Sequence, residues 1–132
     1  MPQSYVNPPT LTKPTGYSHV AIVPAGRQVH ISGQVALDAA GQVVGRGDLS
    51  AQAEQVYANL DGALKAAGCT WANVFKLVTY VVNLTPEMAP RVRAVRARYL
   101  GNLDAPASTM VGVTSLVNAD LLIEVEVIAY LG

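Results

Sequence analysis

Leu121-Leu122-Ile123-Glu124-Val125-Glu126-Val127-Ile128-Ala129-Tyr130-Leu131 stands at the C-terminal end, and its alternation decides the fold. Successive side chains of an extended strand point to opposite faces. Leu121, Ile123, Val125, Val127 and Ala129 therefore share an apolar face suited to a core. Leu122, Glu124, Glu126, Ile128 and Tyr130 share the other, which is mostly apolar yet holds two carboxylates. Those carboxylates project to one side about 7 Å apart. Open water would account for the glutamates but not for their apolar neighbours. A subunit interface with a polar cleft in it accounts for both.

Working outward, Val74 to Val82 is rich in β-branched and aromatic residues and reads as a central strand, with another at Ser108–Val113. Val29 to Leu37 is a further strand with Gly33 in its middle, where a bulge or a close approach by a ligand or backbone is expected. The turn Asp38–Gly41 and then Gln42-Val43-Val44 make that strand the first arm of a β-hairpin. Asp48 or Ser50 can cap a helix to about Ala67, with Ala53, Val56, Leu60, Ala63, Leu64 and Ala67 on one stripe and Gly68 beyond its end. Pro86 opens a second helix to about Leu100, closed by Gly101, with Met88, Val92, Val95 and Tyr99 facing the core. Residues 1–16 are proline-rich and read as an extended N-terminal arm. The order is β-β-α-β-α-β-β. The economical arrangement is one α+β domain over residues 1–132, a mixed sheet with two helices on one face.

The chain has 132 residues, 51% of them hydrophobic and 14% charged, with formal net charge +0. So few charges on so small a protein point to outer surface buried against further copies. Neutrality leaves no electrostatic footprint for nucleic acid or an anionic membrane. Glu124 and Glu126 interrupt the C-terminal apolar run before it reaches membrane-spanning length. The N-terminus lacks a signal-peptide pattern. Cys69 is the single cysteine, which excludes an internal disulfide and suits a reducing cytoplasm.

Ile31-Ser32-Gly33-Gln34-Val35 with Leu37-Asp38, Ala66-Ala67-Gly68, Val74–Val81, Pro106-Ala107-Ser108-Thr109 and Ile123–Ala129 occur in an order and spacing that resemble the Rid (YjgF, reactive-intermediate deaminase) family. The likeness runs from about Tyr17 to Tyr130. It implies a chorismate-mutase-like fold and a homotrimer with small-molecule pockets in the clefts between subunits. It also implies cofactor-independent hydrolysis of enamines and imines to a carbonyl compound and ammonia. Such chemistry needs a substrate anchor, a positioned water and a carboxylate that exchanges protons with it. By this resemblance Glu124 is the catalytic, water-positioning group, and Tyr17, Ser32 and Gly33 line the pocket. The family's carboxylate-anchoring arginine aligns with Ser108, its pocket cysteine with Met110, and a pocket asparagine with Arg93. A serine hydroxyl cannot form a charged bidentate clamp, so weak turnover of amino-acid imines is expected.

Each of these residues also has a plainer reading. Arg91, Arg93, Arg96 and Arg98 flank the apolar stripe of the second helix, where snorkelling arginines solubilise a surface. The sharper reading has Arg93 or Arg96 replacing the charge missing at Ser108. Glu126 reads as structural, paired to a neighbouring group. His19 and His30 lack a partner at metal spacing, and His30 reads as packed or interfacial. Cys69 beyond a helix C-terminus and Trp71 beside it read as packing residues. A reading from another class remains beside the enzymatic one: a ligand-binding or chaperone-like trimer that uses its cleft without chemistry.

Overall fold

The computed structural model describes residues 3–132. Eight elements follow one another: β1 (Ser4–Val6), β2 (Val20–Ile22), β3 (Gln28–Val35), α1 (Leu49–Ala66), β4 (Val74–Val82), α2 (Met88–Leu100), β5 (Ala107–Val113) and β6 (Ile123–Tyr130). The main sheet has the order β3-β6-β4-β5. β6 runs antiparallel to both neighbours, whereas β4 and β5 are parallel with α2 as their crossover. A mixed α+β sheet with two helices on one face is the result.

The alternation of the terminal strand is realised as read. Ile123, Val125, Val127 and Ala129 are buried beneath the helices, as are Leu77 and Val81 beside them on β4. Paired residues share a face, so the register places Lys76, Val78, Tyr80 and Val82 with Glu124, Glu126 and Ile128 on the opposite, helix-free face. Tyr130 departs from the expectation. The turn at Ala25–Gly26 covers it, and its hydroxyl donates to the Ala25 carbonyl at 3.3 Å.

Asp48 caps α1, its carboxylate accepting from the Ala51 amide at 3.1 Å. The stripe Ala53, Val56, Leu60 and Leu64 is buried as expected, and Tyr57 and Gln52 are buried with it. Gln52 is satisfied there. It donates to the carbonyls of Gly45 and Asp120 and accepts from the Leu122 amide, which ties the helix to the entry of β6. Trp71 stacks on Tyr57 with ring centroids 5.5 Å apart and packs against Tyr99. Cys69 is buried, and burial pushes its thiol pKa up.

The two arms of the expected hairpin are unequal. Only Leu37 and Val43 form a bridge, and residues 42–44 are not a strand of the sheet. Asp38 folds the turn onto itself by accepting from the Ala40 and Gln42 amides. Gly45 and Gly47, both at positive φ, then carry the chain into α1 before further pairs can form. In the proline-rich arm, β1 pairs antiparallel with β2 in a separate two-stranded sheet. No helix among the described residues is long and apolar enough to cross a membrane.

Candidate functional site

Gly33 sits where β3 breaks register, between the Ile31–Val127 and Gln34–Val125 pairs. The bulge brings its backbone against the Glu124 side chain. A Cβ at position 33 would stand 2.1 Å from Glu124 Oε2 and 2.9 Å from Cγ. Glycine is required there because a carboxylate occupies the space. Ser32 is exposed next to it on the same strand. Glu124 itself is half-buried on the helix-free face, with Tyr80 opposite on β4. Glu126, two residues on, accepts from the Tyr80 hydroxyl at 2.6 Å. That bond raises the Tyr80 pKa above its ordinary value. Glu126 thus has a partner, whereas no hydrogen bond holds Glu124 among the described residues.

The remaining sequence-derived residues assemble elsewhere. Ser108 pairs in register with buried Leu77, so its hydroxyl faces the helices. There it accepts a hydrogen bond from Arg96 Nη1 at 3.2 Å, while Arg96 Nη2 donates to the Gly16 carbonyl at 3.1 Å. Arg96 is only 4% exposed. It does not snorkel to solvent as a flanking arginine would, because the Gly16 carbonyl and Ser108 supply polar partners under the sheet edge. Burial lowers the Arg96 pKa, and nearby Arg93 adds to that effect. Arg93, Arg91 and Arg98 are exposed, and Arg98 pairs with Glu54 on α1. Met110 also faces the helices and packs against the core. Tyr17 lies beside this edge, since its neighbour Ser18 bridges to Ala107 and bonds the Ala105 carbonyl. Its ring meets His19 edge-on at 5.2 Å. His30 is exposed and bonded to Gln28, so the packed reading fails within one chain.

Two clusters result, Ser32–Gly33–Glu124 and Tyr17–Arg96–Ser108. Two strand spacings and three residues separate Glu124 from Ser108, a Cα distance of roughly 14 Å, and their side chains leave opposite faces of the sheet. One chain does not bring them together. The resemblance placed them in one pocket between subunits, and a linear motif does not reveal which edge of the sheet a strand occupies.

The family model described as Endoribonuclease L-PSP matches residues 10–131. The chain belongs to the Rid (YjgF) family. A Rid-family protein from Yersinia pestis superposes with a TM-score of 0.93 at 43% identity, covering 99% of this chain and 100% of that one. A RutC family protein from Synechocystis is 36% identical over 101 residues, 76% of this chain and 75% of its own. The rat protein named 2-iminobutanoate/2-iminopropanoate deaminase is 32% identical over 117 residues, 88% of this chain and 80% of its own. In this Rid chain the fold and the Gly33–Glu124 apposition are in place, and Ser108 stands bonded to Arg96.

Proposed function

We propose that this Rid protein is a cofactor-independent hydrolase of small reactive enamines or imines, working as a homotrimer with its pockets between subunits. The close approach of Gly33 to Glu124 is the observation that carries the reading. It leaves a carboxylate without a hydrogen-bond partner among the described residues against the Gly33 backbone on the helix-free sheet face. Glu124 positions a water at the C=N carbon and takes its proton as the C–O bond forms. Returning that proton to nitrogen lets the C–N bond break, releasing ammonia and a carbonyl compound. The Tyr17–Ser108 edge of a second subunit completes the pocket, since the two clusters lie too far apart to meet in one chain. The apolar residues Val78, Val82 and Ile128 on the helix-free face suit burial between subunits.

Substrate preference departs from that of amino-acid imines. Ser108 carries no charge, and the Arg96 guanidinium behind it is engaged on the covered face. An amino-acid oxidase coupled to imine hydrolysis tests this directly. Slow turnover of 2-iminopropanoate with faster turnover of uncharged imines is expected, each abolished by Glu124→Ala. Rapid turnover of 2-iminopropanoate by the unaltered protein would refute the assigned preference. Undiminished activity in Glu124→Ala would refute the mechanism.

A further inference from the structure

β3 is an edge strand of the main sheet, and beyond the bulge only Gln34 and Val35 still pair with β6. The register partner of Val35 is Glu124. One short stretch therefore meets Glu124 twice, its backbone at Val35 and its carboxylate at Gly33. Tyr80 bonds Glu126, and no hydrogen bond holds the Glu124 carboxylate among the described residues, so the backbone pressed against it sets its place. Two pairs at the end of an edge strand hold that backbone weakly, because strand ends open at low cost. The chain also leaves the sheet at once, the Leu37 amide donating to the Val35 carbonyl at 2.8 Å in a three-residue turn.

α1 supplies the missing restraint. Asn59 Nδ2 donates to the carbonyls of Val35 and Leu37, at 3.0 Å each. Those bonds use both N–H donors of the amide and fix the turn against the helix. The amide could rotate and present its oxygen to the two carbonyls instead. Gln55, one helical turn earlier, prevents this by donating from Nε2 to Asn59 Oδ1 at 2.8 Å. A hollow of about 450 Å³ runs along this edge, lined by Gly33, Val35, Leu37, Asn59 and Gly62 among others. Water reaching the carbonyls through it would satisfy them but would not hold them still. The paired amides do both.

We infer that Asn59, oriented by Gln55, is a positioning residue for the proposed hydrolysis: it holds the Val35–Leu37 turn, so that Gly33 keeps the Glu124 carboxylate in one place. The inference rests on the proposed role of Glu124. Asn59 lies on a helix, and Glu124 lies on the helix-free face of the sheet, so Asn59 acts through the strand between them. A displacement of about 1 Å in a reacting group is enough to cost about a hundredfold in rate.

Asn59→Ala, Gln55→Glu and Gln55→Lys test it, by imine hydrolysis and by the nuclear magnetic resonance of Glu124 and its surroundings. In Asn59→Ala, kcat should fall about tenfold while KM stays within about twofold, because the substrate still binds and the base is misplaced. Backbone order parameters of Gly33 to Leu37 should drop while those of β4 stay unchanged. The Hα–Hβ couplings of Glu124 should move from one rotamer toward an average. Gln55→Glu accepts where Gln55 donates, so it turns the Asn59 amide over and should reproduce all three effects. Gln55→Lys keeps a donor and should rescue them. Should Asn59→Ala fail to fold, the two Gln55 variants, at a half-buried helix position, carry the comparison alone. Unchanged kcat in Asn59→Ala overturns the inference. So does a fixed Glu124 rotamer in that variant, which marks Asn59 as structural only. Order parameters and couplings do not depend on turnover. A protein that hydrolyses no imine would refute the assigned reaction, whereas selective loosening of residues 33–37 and Glu124 in Asn59→Ala would still support Asn59 as the residue that places the carboxylate.

Discussion

Introducing Ser108→Arg would set a second arginine beside Arg96, and the structure predicts that the substitution is destabilising. Arg96 Nη1 stands 3.2 Å from the Ser108 hydroxyl, so a second guanidinium starts beside the first. At an effective dielectric constant of about 20, two like charges repel by about 4 kcal/mol at 4 Å and about 2 kcal/mol at 8 Å. The new side chain can swing toward the sheet edge, so the larger separation applies. Losing the Arg96–Ser108 hydrogen bond adds about 1 kcal/mol. A cost of about 3 kcal/mol is therefore expected. In an Arg96→Gln background the repulsion vanishes, and the same substitution should cost no more than about 1 kcal/mol, a coupling of about 2 kcal/mol. Urea denaturation of the four proteins at one protein concentration measures the cycle, with a constant m-value confirming that only stability changed. Additivity within about 0.5 kcal/mol would refute the assigned contact. Only the double variant is a fair test of whether an arginine at this position restores turnover of amino-acid imines.

Gly33→Ala should separate folding from function. Its Cβ would overlap Glu124 Oε2, so the glutamate must adopt another rotamer at about 1 kcal/mol, while the imine hydrolysis rate falls about a hundredfold. A variant that melts near the parent temperature and hydrolyses imines at the parent rate would show that Glu124 needs no fixed position. Tyr57 carries a pH signature, because burial pushes its hydroxyl pKa up to about 12. The unfolded chain ionises it near pH 10, so its share of stability is full below that pH and is lost as pH rises toward 12, by roughly 2 kcal/mol. Tyr57→Phe should flatten this part of the stability profile and change little at pH 7, because its hydroxyl has no good partner to lose. An unchanged alkaline slope would contradict that account.

Periodicity made much of the fold legible. The two faces of Leu121–Leu131, the stripe of α1 and its Asp48 cap depend on residues close in sequence, and local geometry dictates them. Gly33 was legible for the same reason, since a glycine within a strand needs a cause, and the Glu124 side chain is that cause. Gln52 was not. A polar residue on an apolar stripe reads as surface until Gly45, Asp120 and Leu122 arrive from distant segments to satisfy it.

The site divides along the same line. The resemblance in motif order singled out Glu124, Ser32 and Ser108 as candidates and set Ser108 against an arginine of the family. Tertiary structure decided that Ser108 and Glu124 occupy opposite faces of the sheet, because Ser108 falls in register with helix-facing Leu77 and Glu124 with Tyr80 on the helix-free face. It also decided that Arg96, and not Arg93, sinks to meet Ser108. Both lie beside the stripe on a helical wheel, and only the packed edge supplies the carbonyl of Gly16 and the Ser108 hydroxyl that let one guanidinium leave water. Local pattern sets the direction in which a side chain leaves its element, whereas its partners are set by chain segments that meet only when the sheet has formed.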